Sequence, residues 1–193
     1  MQSAGGHFLW RRCIVAGAAF VIAHVAVIYA TEAAHASELR VMTFNIKGDT
    51  AGIFNRNDAF RSWIYNSGPD RRDRAIAVIA EFGPDILSTQ ELEYNQRLDF
   101  QNAFPEYAYF GQGRDGGIFG SANGIYYRTS RFDLVDAGDF WLSETPTVPS
   151  TTFQGNGSDT GNPRMATWVK LFDHDTSQTY FVLSTHWSLD SAA

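Results

Sequence analysis

Pro84-Asp85-Ile86-Leu87-Ser88-Thr89-Gln90-Glu91 is the stretch on which the reading of this chain turns. Gly83 and Pro84 end whatever precedes them, a short apolar run follows, and a carboxylate arrives at once behind it. That is a strand over Asp85 to Gln90 with Glu91 at its carboxyl end. Immediately upstream, Asp70 can cap a helix running to Phe82, in which Ile76, Ile79 and Phe82 recur at three-residue spacing along one face. Further upstream, Leu39 to Asn45 (Leu-Arg-Val-Met-Thr-Phe-Asn) alternates apolar and polar residues as a strand does. Strand, helix, strand is a βαβ unit with parallel strands and a right-handed crossover. Parallel strands end on the same edge of their sheet, and ligands of open α/β sheets bind beyond that edge. Asn45 and Glu91 therefore converge by topology. The polar stretch between, from Lys47 to Pro69, is longer than an ordinary connection, which marks a functional loop or a loop containing a short helix.

Downstream the chain is β-rich. Tyr107 to Phe110, Gly124 to Arg128 and Phe132 to Phe140 are candidate strands, with Thr129-Ser130-Arg131 turning between the last two. A loop from Thr145 to Asn162 holds Pro, Gly and Ser and belongs on the surface. Ala166 to Phe172 and Thr179 to Thr185 make a hairpin around Asp173-His174-Asp175, and His186 ends its second strand. His174, in that polar loop, reads as a solvated histidine. Trp141, Tyr126 and Tyr127 read as core aromatics.

The amino terminus has a different composition. Arg11 and Arg12 precede an apolar run from Cys13 to Ala30, and Ala34-His35-Ala36 follows. A basic segment, an apolar segment and an Ala-x-Ala pattern predict a signal peptide over 1–36, cut after Ala36. The run is long enough that an uncleaved membrane anchor is the alternative. Cleavage implies an exported protein, periplasmic or extracellular, with no membrane attachment. Its loss takes two arginines and Glu32, leaving 13 Lys+Arg against 20 Asp+Glu and a net charge of −7. Such a domain lacks the basic footprint of a non-specific nucleic-acid binder, which favours a small substrate over a polymer. Cys13 is the only cysteine, so residues 37–193 have no disulfide, thiol chemistry or cysteine-held zinc. Only His174 and His186 remain as histidines.

Several strings together resemble the endonuclease/exonuclease/phosphatase superfamily, whose fold is deoxyribonuclease I-like. Val41-Met42-Thr43-Phe44-Asn45-Ile46 looks like its opening strand, Pro84 to Glu91 like its "P-D-I-l-x-x-Q-E" motif, and Ser184-Thr185-His186-Trp187 like its "n-T-H-l" motif, with Trp in place of Leu. Gly111-x-Gly113-Arg114-Asp115-Gly116, Gly124-Ile125-Tyr126-Tyr127-Arg128 and Phe140 to Pro146 resemble a bacterial branch. The resemblance runs from Leu39 to Ala193. It implies a metal-dependent hydrolase of phosphoric esters on a four-layer α/β/β/α sandwich. Glu91 would hold Mg²⁺ (Mn²⁺ or Ca²⁺ as alternatives), with Asn45 orienting the metal and phosphate. His186 would donate to the phosphate oxygens and join proton transfer. Arg114 is either part of a glycine-rich turn or a phosphate contact.

The superfamily's later "D-x-N" and "D-H" pairs belong after His186, and neither occurs between His186 and Ala193. The expectation is therefore an incomplete domain over 37–193, with mainly the first sheet and its helices present, its inner face uncovered, and no activity alone. The alternative is a non-catalytic remnant or phosphate-binding module of the same fold. No stable protein partner is inferred, and the substrate's identity is not readable.

Overall fold

Asp70 and Gly83 frame helix α1 (Arg71–Phe82) as the sequence predicts. The Asp70 carboxylate accepts the Asp73 N–H at 2.9 Å, and Gly83 takes the left-handed conformation and donates to Ile79 O at 2.8 Å. The computed structural model describes residues 38–49, 63–64, 70–151 and 162–187, all within the compact unit Ala36–Ala193. The segment read as signal peptide or anchor and much of the loops over 47–69 and 145–162 lie outside the described residues. No helix among the described residues is long and apolar enough to cross a membrane.

Strand β1 (Val41–Asn45) pairs parallel with β2 (Ile86–Gln90), so the βαβ expectation holds. A second helix, α2 (Tyr94–Ala103), follows β2 directly. Strands β3 (Tyr107–Phe110) and β4 (Ile125–Arg128) complete a sheet of order β1-β2-β4-β3. Strands β5 (Phe132–Trp141), β6 (Met165–Asp173) and β7 (Gln178–Thr185) form a separate antiparallel sheet in sequence order. The predicted hairpin is β6–β7.

The expectation of mainly one sheet with an uncovered inner face is corrected by this arrangement. After Thr129-Ser130-Arg131 the chain does not fold back beside β4. It leaves the first sheet and starts the second, because β4 is already flanked by β2 and β3. The pleat then sorts side chains onto two sides. Leu87 and Tyr126 face outward into a core with Ile79, Phe100, Phe104 and Trp63 beneath the helices. Ile86, Ile125 and Tyr127 face the other way, against Phe132, Val169 and Leu171 of the second sheet. With both faces covered, β2 is buried along its whole length, which is why its sequence does not alternate. The described residues thus form three layers: helices, first sheet, second sheet.

Candidate active site

The carboxyl end of β2 is where the ladder breaks. Ile86, Leu87 and Ser88 pair with Tyr127, Tyr126 and Ile125, but the next bridge joins Leu92 to Ala122. The β2 side therefore carries one extra residue, a bulge, and Glu91 within it has φ of 56°. The bulge lifts the Glu91 side chain out of the sheet plane towards Asn45, at the end of β1. Asn45 Nδ2 donates to Glu91 Oε1 at 2.9 Å, and the Gly48 N–H donates to Oε2 at 3.3 Å. Asn45 Oδ1 accepts the Lys47 N–H at 2.9 Å, which turns the amide so that its NH₂ faces the carboxylate. The turn over 46–48 is held from outside by Arg71, whose guanidinium donates to Ile46 O at 2.5 Å and to Lys47 O. Gln96 of α2 adds a bond to Lys47 O at 3.0 Å.

His186 reaches the same place from the second sheet. Gln90 Nε2 donates to Ser184 Oγ at 3.3 Å, and Ser184 Oγ in turn donates to Thr89 O at 3.4 Å, tying the end of β7 to the end of β2. Two residues on, His186 Nε2 lies 3.7 Å from Glu91 Oε1. On its other side, Nδ1 lies 3.1 Å from an Arg164 guanidinium nitrogen. Asn45, Glu91 and His186 are thus brought together from β1, β2 and β7.

Arg114 arrives by a glycine-rich loop. Gly113 bridges Ala122 with no room for a side chain: an added Cβ would stand 1.9 Å from Phe119 O. The buried Trp141 indole donates to Arg114 O at 2.7 Å. Arg114 lines a cleft with Ser121, Asn123, Arg164, Met165 and His186, and its Nε is buried without a hydrogen-bond partner. His174 is elsewhere, half-exposed at the β6–β7 turn and 3.1 Å from Asp133. Trp141, Tyr126 and Tyr127 are buried.

Electrostatics separates the two glutamates after β2. Burial alone would raise the Glu91 pKa, but the bonds from Asn45 and Gly48, with positive charge from Arg114, outweigh it and hold it below the ordinary carboxylate value. Glu93 moves the other way: burial pushes it up, Arg114 opposes, and Asp49, Asp115 and Glu91 add repulsion. An ionised Glu91 is the kind of oxygen donor that suits a hard cation, whereas Asn45 presents its NH₂ to that carboxylate and its oxygen to the Lys47 N–H. Among the described residues no group of three His, Cys, Asp or Glu could hold a metal.

Sequence reasoning missed Arg164, Arg71 and the Gly48 amide. Arg164 was findable, since counting back from the 173–175 turn along the hairpin sets it near His186. The other two depend on a turn whose shape no local pattern gives.

A family model described as "Endonuclease/Exonuclease/phosphatase family" matches residues 42–186. A comparison with curated protein sequences finds no match. Among solved structures, an endonuclease/exonuclease/phosphatase from Bacteroides vulgatus is 32% identical with a TM-score of 0.66, over 78% of this chain and 52% of its own. A mannosyl-6-phosphatase from Bacteroides thetaiotaomicron is 32% identical with a TM-score of 0.66, over 80% of this chain and 54% of its own. TDP2 from D. rerio, complexed with a single-stranded DNA product, shares the fold at 14% identity and a TM-score of 0.53, over 81% of this chain and 48% of its own. The chain spans about half the length of these relatives.

Proposed function

The chain belongs to the endonuclease/exonuclease/phosphatase family, and on that premise we propose that it is a Mg²⁺-dependent hydrolase of phosphoric esters acting outside the cytoplasm. The observation that carries the reading is the meeting of Asn45, Glu91 and His186 at one edge of both sheets, with Asn45 on Glu91 Oε1 at 2.9 Å and His186 at 3.7 Å from the same oxygen.

Glu91, held ionised, would bind the cation, and Asn45, whose NH₂ donates to it, would orient that carboxylate. When bound, Mg²⁺ supplies charge neutralisation at the phosphoryl oxygens. The remaining work falls to the chain's own groups. His186 presents Nε2 beside Glu91, at hydrogen-bonding reach of a phosphate oxygen lying in the cleft. Arg114, which lines the cleft, offers a positive charge to the same phosphate. Both contacts strengthen as negative charge gathers on the transferring group, which lowers the barrier more than it stabilises the bound ester. A water-activating base is not assigned among the described residues.

The substrate class is a phosphomonoester or small phosphodiester. The two arginines that line the cleft, Arg114 and Arg164, favour it, as does the acidity of the chain as a whole, and one relative is a mannosyl-6-phosphatase. The second reading is a phosphate-binding module without turnover, since the chain spans about half the length of its solved relatives. The test is turnover of nitrophenyl phosphate mono- and diesters, and of DNA, with Mg²⁺ and with chelator. Metal-dependent turnover lost in His186→Ala and Glu91→Gln is the expected result. Mg²⁺-dependent binding of inorganic phosphate with no hydrolysis would replace it by the module. Export is tested separately: protein from the native host should begin at Ser37, and an intact Met1 in the membrane fraction would establish the anchor instead.

A further inference from the structure

Arg164 is placed by the second sheet with little freedom. It precedes Met165, the first residue of β6, and its carbonyl accepts the Leu142 N–H at 2.8 Å, which fixes its backbone beside the end of β5. The β6–β7 register pairs Ala166 with Thr185, and Thr185 Oγ1 donates to Met165 O at 3.0 Å. Continued by one step, that register sets His186 opposite Met165, and Arg164 is the next residue on the β6 side. The arginine is buried, only 8% exposed, and its guanidinium nitrogen stands 3.1 Å from His186 Nδ1.

Chemistry decides what that contact is. A guanidinium has five N–H donors and no acceptor, and it stays protonated under all conditions in which proteins fold. A hydrogen bond from it needs a lone pair on Nδ1. In the neutral imidazole one nitrogen carries the proton and the other accepts, so an Nδ1 that accepts places the proton on Nε2. Nε2 is the nitrogen that faces Glu91 Oε1 at 3.7 Å and opens onto the cleft shared with Arg114. We propose that Arg164 is a positioning residue that holds neutral His186 in the Nε2–H tautomer and in this ring orientation, so that the histidine meets a phosphate in the cleft as a hydrogen-bond donor. This differs from a carboxylate behind the ring, which accepts a hydrogen bond from Nδ1–H and leaves Nε2 as the acceptor. Arg164 makes His186 a donor where a carboxylate would make it a base. As a role in catalysis this rests on the hydrolase reading above; as a statement about the ring it does not.

The test has two arms. In the first, the full chain is labelled with ¹⁵N-histidine and long-range ¹H–¹⁵N spectra are recorded where the ring is neutral, with the His186 signals identified by their loss in His186→Gln. The expected pattern is a single Nε2–H tautomer with an unprotonated Nδ1. Arg164→Met, which keeps bulk and removes the donor, should collapse it to an averaged pattern. Arg164→Gln, which can still donate from its amide, should restore it in part. An Nδ1–H ring in the unaltered protein, or the same pattern in all three proteins, would overturn the proposal. The spectrum of the unaltered protein is decisive even if Arg164→Met does not fold. In the second arm, on nitrophenyl phosphate, Arg164→Met should lower kcat at least tenfold with KM within about threefold. Adding it to His186→Gln should cost nothing more, because residues acting as one unit are not additive. Independent, multiplying losses with a raised KM would instead make Arg164 a direct phosphate contact and sink the positioning role. Absence of turnover in every protein would strike the hydrolase reading alone, since the first arm does not use it.

Discussion

Glu91 and Lys47 are both non-glycine residues in the left-handed region, with φ of 56° and 61°. That conformation costs an L-residue about 1–2 kcal/mol, and here it occurs twice at one site. In each case the strain is offset by bonds that the kink makes possible: Asn45 and Gly48 onto the carboxylate, and Lys47's own N–H onto Asn45. Strain of this kind clusters at sites kept for a purpose other than stability. If that purpose is a cation, Glu91→Gln, which keeps the shape and removes the charge, should weaken Mn²⁺ binding by more than tenfold, about 1.4 kcal/mol or more. Magnetic titration measures it, and equal affinity in both proteins would remove Glu91 as the ligand. A role for Asn45, Glu91 and His186 came only from the family resemblance, but their place at strand ends was legible in the pattern of the sequence. What each touches was not, because partners separated by 46 residues (Asn45 and Glu91) or supplied by another sheet leave no local trace.

The same distinction holds for whole elements. Helix α1 announces itself with a capping aspartate, a spaced apolar face and a terminal glycine. Helix α2 does not: Tyr94–Ala103 is largely polar, buries only Gln96 and Phe100, and is started by Gln96 accepting the Glu93 N–H at 2.9 Å. Packing against Trp63 and Tyr126 sustains it more than intrinsic preference does. The glycine-rich loop after β3 was legible as a turn, but which glycine is indispensable was not. Gly117 has a φ of 60° and open space around it, so Gly117→Ala should cost only the left-handed penalty, about 1 kcal/mol. At Gly113 a Cβ would lie 1.9 Å from Phe119 O and 2.6 Å from Gly120 O, and backbone must move. Gly113→Ala should therefore cost about 2 kcal/mol, a fall in Tm of roughly 4–8 °C. It should also weaken phosphate binding through the displaced Arg114. Thermal melts and phosphate titration of the two variants check this, and equal behaviour would mean that the loop does not set Arg114.

At the scale of the molecule, what joins the two sheets at the end remote from the site is one guanidinium. Arg131, in the turn that carries the chain from the first sheet to the second, donates to Asp173 Oδ1 and Oδ2 at 3.0 and 2.9 Å. It also donates to Asp85 Oδ2 at 2.9 Å and Glu38 O at 2.7 Å. Asp85 leads into β2 and Asp173 ends β6, so the cation is shared between sheets. Its side chain is 7% exposed and that of Asp173 is 0%, which makes this pair costly to break. Removing one partner of a buried pair typically costs about 3–5 kcal/mol. Because Asp85 remains, Asp173→Asn should fall at the lower end, about 3 kcal/mol. Asp133→Asn, in an exposed pair with His174, should change stability by less than about 1 kcal/mol. The pH dependence follows from the same contacts. Burial alone would raise the Asp173 pKa, but the Arg131 bonds, the Asp175 N–H, the Thr176 hydroxyl and the Arg131 charge outweigh it and hold it low. The unfolded chain titrates near the ordinary value of about 3.9. The folded state therefore binds its proton later, and the stabilisation is present in full above about pH 4 and lost as pH falls through the depressed folded value. Urea unfolding between about pH 3 and pH 7 should show a steeper acid loss in the unaltered protein than in Asp173→Asn, with the two curves converging as pH falls. Parallel curves over that range would mean that the sheets are joined by apolar packing alone and that the buried ion pair contributes nothing to their docking.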